Sequence, residues 1–294
     1  MSSYRDLVCS RRGILCAGAT LASLGLASCA NSGSGDVEGA PGSAPEASQL
    51  TVDPGHLTIA TGNPAFEPWV IGDDQESGEG FEAALGYALA ERLGFARDSV
   101  TWVRTSFEEA YAPGVHDWDI NLQQVSITDE RASSVDFSPS YLRPTQSVVV
   151  RADSELARAQ ALSELAGASF AVAEGSTAYD YVQTLVAGSE KNIRTHADNA
   201  DAAQAVSGGQ ADAIVTDTPD AYVMASYGQI ENGIALGQIP GSEDKYGLGA
   251  TLAKGSMLTP LVAKAMDSLV DDGTIDKLAN KWLAGYIDVP KLRL

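Results

Sequence analysis

From residue 57 onward, apolar positions alternate between short continuous runs and helical stripes. Residues 57–61, LTIAT, form a β-rich run stopped by Gly62, which predicts a strand and its end. Residues 81–93 follow Gly80 and place Phe81, Ala84, Leu85, Ala88 and Leu89 at helical spacing. Residues 100–103 predict another strand. Ser106 with Glu109 makes a capping box for a short helix, halted by Pro113-Gly114. Residues 119–125 predict a strand that runs into the segment 124–141, QVSITDERASSVDFSPSY.

Beyond it, QSVVVR at 146–151 is a β run. A series of short helices and strands occupies 162–165, 169–173, 178–186, 201–206, 213–216 and 220–227, with a strand near 249–253. The C-terminal stripe Leu258, Leu261, Val262, Ala265, Met266 and Leu269 predicts one helix. Ile275, Leu278, Ala279 and Trp282 predict a second, starting at Thr274. Such alternation of β and α segments implies an α/β protein with parallel-rich sheets.

The first residues differ. Arg5, Arg11 and Arg12 precede an apolar run over 13–26 that is too short to cross a bilayer but suits a signal peptide. The run ends in Leu26-Ala27-Ser28-Cys29, which resembles a bacterial lipobox. The expectation is a signal peptide over 1–28, cleavage before Cys29 and lipidation of that cysteine. Ser10-Arg11-Arg12-Gly13 is also similar to a twin-arginine export signal. Residues 29–54, rich in Gly, Ser, Ala and Pro, are expected to form a disordered linker. The protein is thus expected outside the cytoplasm, anchored to the cell membrane through lipid.

Composition narrows the function. The 294 residues carry a formal net charge of −20, which argues against nucleic acid as a partner. Cys9, Cys16 and Cys29 all lie near the N-terminus, so no disulfide can form within the body. His56, His116 and His196 are scattered, and no metal or cofactor is expected.

Four features carry candidate binding chemistry. Arg131 offers a planar fork of donors suited to a carboxylate, with Ser126, Thr128 and Gln124 nearby; alternatively, it pairs with Asp129, Glu130 or Asp136 on the surface. Ser176 and Thr177 follow a strand and open a helix, where free N–H groups suit an anion; either can equally be a plain cap. Asp217 ends an apolar strand, where it suits an ammonium group or caps the next helix. Phe66 and Trp69, around Pro68, can cover a ligand or simply pack.

Taken in order, Phe66-x-Pro68-Trp69, Gly80-Phe81-Glu82, Asp119-Ile120, Ser126-Ile127-Thr128-x-x-Arg131, Asp136-Phe137-Ser138-x-x-Tyr141, Gly175-Ser176-Thr177, Asp217 and Asp272-Gly273-Thr274 resemble the family 3 extracytoplasmic solute-binding proteins, the amino-acid receptors of ABC importers. The resemblance covers about residues 57–284. It implies a two-lobed periplasmic-binding-protein fold of type II with two crossing hinge strands. Lobe 1 would comprise 55–143 with 247–294, and lobe 2 would comprise 144–246. It further implies that Arg131 clasps an α-carboxylate, with Ser126, Ser176 and Thr177 completing its shell. Asp217 would bind the α-ammonium, and Phe66 would flank the side chain with Gln124 beside it; Trp69, the other half of the aromatic pair, is a further candidate ligand contact. The expected protein is a monomer that captures a small polar amino acid and delivers it to ABC permease subunits.

Three departures stand out. Gly62 and Asn63 occupy places where many binders of basic amino acids carry an acid, which argues against a Lys or Arg ligand, Gln123-Gln124 replaces small residues, and Glu174 precedes Gly175. Two other functions fit the same resemblance: a cyclohexadienyl-dehydratase-like enzyme, with Glu174 as the candidate acid, or a sensor feeding a membrane kinase.

Overall fold

The computed structural model describes residues 46–186, 192–284 and 289–294; the expected signal peptide, Cys29 and the linker up to residue 45 lie outside the described residues. The strands are β1 (Leu57–Gly62), β2 (Val100–Thr105), β3 (Ile120–Asn121), β4 (Val135–Phe137), β5 (Gln146–Arg151), β6 (Phe170–Ala173), β7 (Ile193–His196), β8 (Ala213–Asp217), β9 (Gly233–Gln238) and β10 (Thr251–Ala253). The helices are α1 (Phe81–Leu93), α2 (Asp129–Ser134), α3 (Ala178–Val186), α4 (Asn199–Ser207), α5 (Thr218–Ser226), α6 (Thr259–Asp271) and α7 (Thr274–Trp282).

The strands form two five-stranded sheets, β2-β1-β3-β10-β4 and β7-β6-β8-β5-β9. Each is mixed. β1 pairs in parallel with β2 and β3, while β10 runs antiparallel to β3 and β4. In the second sheet β6 is parallel to β7 and β8, and β5 is antiparallel to β8 and β9. Each sheet supports its own core. Ile59, Leu85, Leu89, Ile120, Leu252, Met266 and Leu269 are buried together in the first lobe, where α1, α6 and α7 pack on one another.

The VVV run of β5 shows why the second sheet is apolar on both faces. Alternate side chains point to opposite sides. Val148 and Val150 join Phe170, Val172 and Val215 on one face. Val149 joins Ala171, Ile214, Val206 and Met224 on the other.

The chain passes between the lobes over 138–146 and returns over 239–250. The two passages meet: Tyr141 N–H donates to Leu248 O at 3.0 Å, and Leu248 N–H to Leu142 O at 2.7 Å. Gly247 sits beside this crossing at φ +83°, and a Cβ there would lie 2.0 Å from Ser140 Oγ and 2.6 Å from Leu142 O. Only glycine combines that backbone angle with that approach.

Several expectations change. Ser106 and Glu109 do form the capping box, but it leads into a single 3-10 turn, Glu109–Tyr111, and no longer helix. Too few residues precede Pro113 for a helix to offset its nucleation cost. The strand expected over 119–125 shortens to Ile120–Asn121, because Gln124 takes a left-handed φ of 53° that a strand cannot hold. The buried face of α1 is Phe81, Glu82, Ala83, Leu85, Gly86, Leu89 and Ala90, rotated from the expected stripe and including a carboxylate. The short elements α2, β4, β7 and β9 carry no periodicity long enough to announce them.

The described body also departs from the expected boundaries at both of its ends. Part of the expected linker is fastened to the first lobe. Ala47 and Thr51 are buried, and Asp119 accepts N–H groups from Val52 at 2.7 Å and Thr58 at 2.8 Å. Residues 289–294, expected in lobe 1, lie on the second sheet instead. Gln238 N–H donates to Pro290 O at 2.6 Å, Leu292 N–H donates to Gln238 O at 2.9 Å, and Leu292 is buried in the second core. An unpaired outer edge of β9 and an apolar leucine together draw the tail there.

Candidate functional site

A cavity of about 260 Å³ lies between the lobes. That is far above the ~10–15 Å³ one water needs and below the ~300–1,000 Å³ typical of drug-sized ligands. The first lobe lines it with Gly62, Phe66, Phe107, Gln123, Gln124, Ser126 and Arg131. The second contributes Gln146, Ser176, Thr177, Asp198, Asn199, Asp217 and Asp220.

Arg131 stands in the first turn of α2, whose cap is Thr128: the Thr128 hydroxyl accepts Arg131 N–H at 3.1 Å. Thr128 is therefore occupied in holding the helix that aims Arg131. Arg131 is 7% exposed. It makes no ion pair with Asp129, Glu130 or Asp136; Asp136 pairs with Lys254 at 3.2 Å instead. Its Nη1 donates to Ser126 O at 2.9 Å, and its Nη2 crosses the cleft to Gly175 O at 2.7 Å. Phe107 and Tyr111 cover it, with ring centres 5.4 Å and 4.6 Å from its Cζ. Burial lowers its pKa from the ordinary value, and Tyr111 works against that shift.

Gly175 must lack a side chain here, since a Cβ would meet the Tyr111 hydroxyl at 2.5 Å. Next to it, Ser176 Oγ donates to Ala173 O at 2.7 Å, and Thr177 Oγ1 lies 3.5 Å from Ser126 Oγ of the other lobe.

Asp217 ends β8 at the N-cap position of α5, yet its side chain makes no cap bond. Its carboxylate accepts the Gln146 amide instead. Burial, followed by the charges of Asp220 and Asp244, raises its pKa well above the usual carboxylate range.

Phe66 lines the cavity as expected. Trp69 does not: it is fully buried behind the wall, packed edge-on against Phe81 with ring centres 6.0 Å apart. Its indole Nε1 donates across the lobes to Asp220 at 2.9 Å. Glu174, the acid named for an enzymatic alternative, is exposed and outside the cavity lining.

Glu82 enters the sequence reading only through the Gly80-Phe81-Glu82 motif, which gives it no role, and it lies among apolar residues of α1. Its Oε1 accepts the Tyr141 hydroxyl and, at 2.9 Å, the Gln124 N–H; its Oε2 accepts the Gln124 side-chain amide. Burial raises its pKa to about 7 against these hydrogen bonds. Asp220 is equally silent, since an acid in the first turn of a helix has an ordinary dipole role. Gln146, Phe107 and Tyr111 give no signal beyond their place in apolar or loop segments.

Two sheets with separate cores, joined by two chain passages around a shared cavity that Arg131 and Asp217 both line, make a two-lobed α/β fold of the solute-binding type. The chain belongs to the bacterial extracellular solute-binding proteins, family 3, which match residues 57–285. It is 27% identical to the ABC transporter glutamine-binding protein GlnH of Bacillus subtilis over 57% of this chain and 58% of that protein. It is 26% identical to the L-arginine-binding protein of Pseudomonas aeruginosa over 75% of this chain and 85% of that one. Among solved structures, an ancestral arginine-binding protein bound to arginine superposes with a TM-score of 0.65 at 27% identity, covering 78% of this chain and 98% of its own. Each of these is named as a binding protein, and no helix among the described residues is long and apolar enough to cross a membrane.

Proposed function

We propose that this protein is the capture component of an ABC importer, closing its lobes on a small polar amino acid. One observation carries the reading: Arg131 on one lobe and Asp217 on the other line the same cavity. A zwitterion needs opposite charges at a fixed separation, and opposing lobes supply them. Arg131 serves the α-carboxylate. Two of its five N–H groups are held by backbone carbonyls, which fixes the direction of the rest. Ser126, Ser176 and Thr177 complete that end, Asp217 takes the α-ammonium, and Phe66 and Gln124 flank the side chain. Trp69 supports the wall through Asp220 rather than touching the ligand.

Closure follows from contacts that only a bridging ligand can complete. The relatives are named as binding proteins, and binding without catalysis suits a site whose named acid, Glu174, lies outside the cavity lining. Delivery to permease subunits, action as a monomer and anchoring through lipidated Cys29 complete the proposal.

Melting the exported chain in the presence of each amino acid tests the central reading. A ligand at a hundred times its dissociation constant stabilises by about 2.7 kcal/mol, or roughly 5–10 °C for a chain of this size. If none shifts the melting point, the amino-acid reading is wrong. For the anchor, Cys29→Ser is expected to move the protein from the membrane to the soluble fraction; unchanged membrane partitioning would rule lipidation out.

A further inference from the structure

Asp217 and Asp220 stand three residues apart at the start of α5, and both line the cavity. That spacing puts them on one helical face. Gln146 lines the same wall from β5 and is 3% exposed. Its Nε2 donates to Asp217, while its Oε1 has no hydrogen-bond partner. A buried acceptor left unpaired is costly, so this oxygen calls for a donor from whatever fills the cavity.

The charge balance points the same way. Asp198, Asp217 and Asp220 line the cavity against a single cation, Arg131. A bound zwitterion adds no net charge. Its carboxylate uses Arg131 and its ammonium uses Asp217. Asp198 is engaged as the N-cap of α4, accepting Asp201 N–H at 2.9 Å, so the wall retains the Asp220 carboxylate and an amide oxygen, two acceptors with no cation among the other lining residues. Trp69 donates one N–H to Asp220, which holds the carboxylate in place without neutralising it.

We infer that Asp220 and the Gln146 amide oxygen, next to Asp217 on the same wall, form a subsite for a positively charged, N–H-bearing side chain, an ammonium or a guanidinium. The inference rests on the amino-acid reading above and specifies its substrate class. The acid missing after β1, where Gly62 and Asn63 stand, is thus supplied from the opposite lobe. Burial raises the Asp220 carboxyl to about 7, and the Asp217 carboxyl rises with Asp220 as its largest charged neighbour. A cation lying against them lets both ionise inside a closed cleft.

Calorimetry with arginine and with citrulline, its neutral counterpart of nearly the same shape, tests the subsite on the exported chain at pH 8. Arginine is expected to bind at least tenfold more tightly. Asp220→Asn keeps an oxygen for the Trp69 indole but loses the charge, and is expected to bring the arginine-to-citrulline ratio close to one. Equal or tighter binding of citrulline by the unaltered protein overturns the inference. So does a variant that weakens both ligands alike, which would make Asp220 a closure residue only. If another neutral amino acid binds while arginine does not, the subsite falls and the amino-acid reading stands. If no amino acid binds at all, both fall.

Discussion

Replacing Arg131 by alanine weakens amino-acid binding by roughly 30-fold to several thousand-fold, the ~2–5 kcal/mol lost when one partner of a buried, hydrogen-bonded charge pair is truncated. Two losses combine. The ligand's carboxylate is left in a cavity with no cation, and the bond from Nη2 to Gly175 O, which ties the lobes, disappears. Arg131→Lys is expected to fall between the two. An ammonium keeps the charge but cannot hold Ser126 O and Gly175 O while still presenting a fork. Calorimetry with an amino acid and with its amide, which lacks the carboxylate, separates the two losses. The amide should lose much less on going to alanine, because only the bridge to Gly175 is at stake. An amino acid that binds Arg131→Ala as tightly as it binds the native protein would remove Arg131 from the site.

Glu82→Gln flattens the pH dependence of stability and leaves the protein more stable than the native chain at pH 8. The sign comes from the raised pKa. A free glutamate titrates near 4.5, whereas Glu82 in the folded protein titrates near 7. The folded chain therefore holds a proton that the unfolded chain gives up. The stability this confers is fully present below pH 4.5 and is lost as the pH rises through 7. The size is roughly 3 kcal/mol at most, from a shift of about two and a half pKa units.

The Tyr141 hydroxyl, Gln124 and Glu82 all belong to the first lobe, so this effect persists whether the cleft is open or shut. Asp220 has the same sign of shift, but its partner Trp69 is on the other lobe, so its contribution tracks closure. Glutamine mimics the protonated form: its oxygen keeps the Tyr141 hydroxyl and the Gln124 N–H, and its NH2, like the carboxyl O–H, donates once the Gln124 side-chain amide turns over to present its oxygen. Melting curves of native and variant protein from pH 5 to 8 are the measurement. Parallel curves would show that Glu82 is ionised throughout and that the buried group is held by means other than a proton.

Much of this architecture is plain in the sequence. Long periodic stretches such as Phe81–Leu93 and Thr259–Asp271 are helices, and the LTIAT and VVV runs are strands, as their patterns predict. Arg131 and Asp217 can be singled out because each places a charge beside a strand end or turn. Asp220 and Glu82 cannot. Their meaning comes from tertiary neighbours 151 residues away in the case of Trp69 and 59 away in the case of Tyr141. The aromatic pair around Pro68 makes Trp69 a candidate ligand contact, yet it lies one layer behind the cavity wall. An aromatic residue next to proline looks the same in either place until the packing of Phe81 is known. Gln124 departs from the small residues expected there because its amide is engaged by Glu82, at a left-handed backbone angle.

The two ends of the described body, residues 47–52 and 289–294, settle on different lobes. Residues near 50 are pinned through Asp119, and the final residues run along Gln238 and Gln160. A dye coupled near each end would therefore ride on a separate moving part. Energy transfer between such dyes would track the swing of one half against the other in solution, with no label inside the cleft to disturb what binds there.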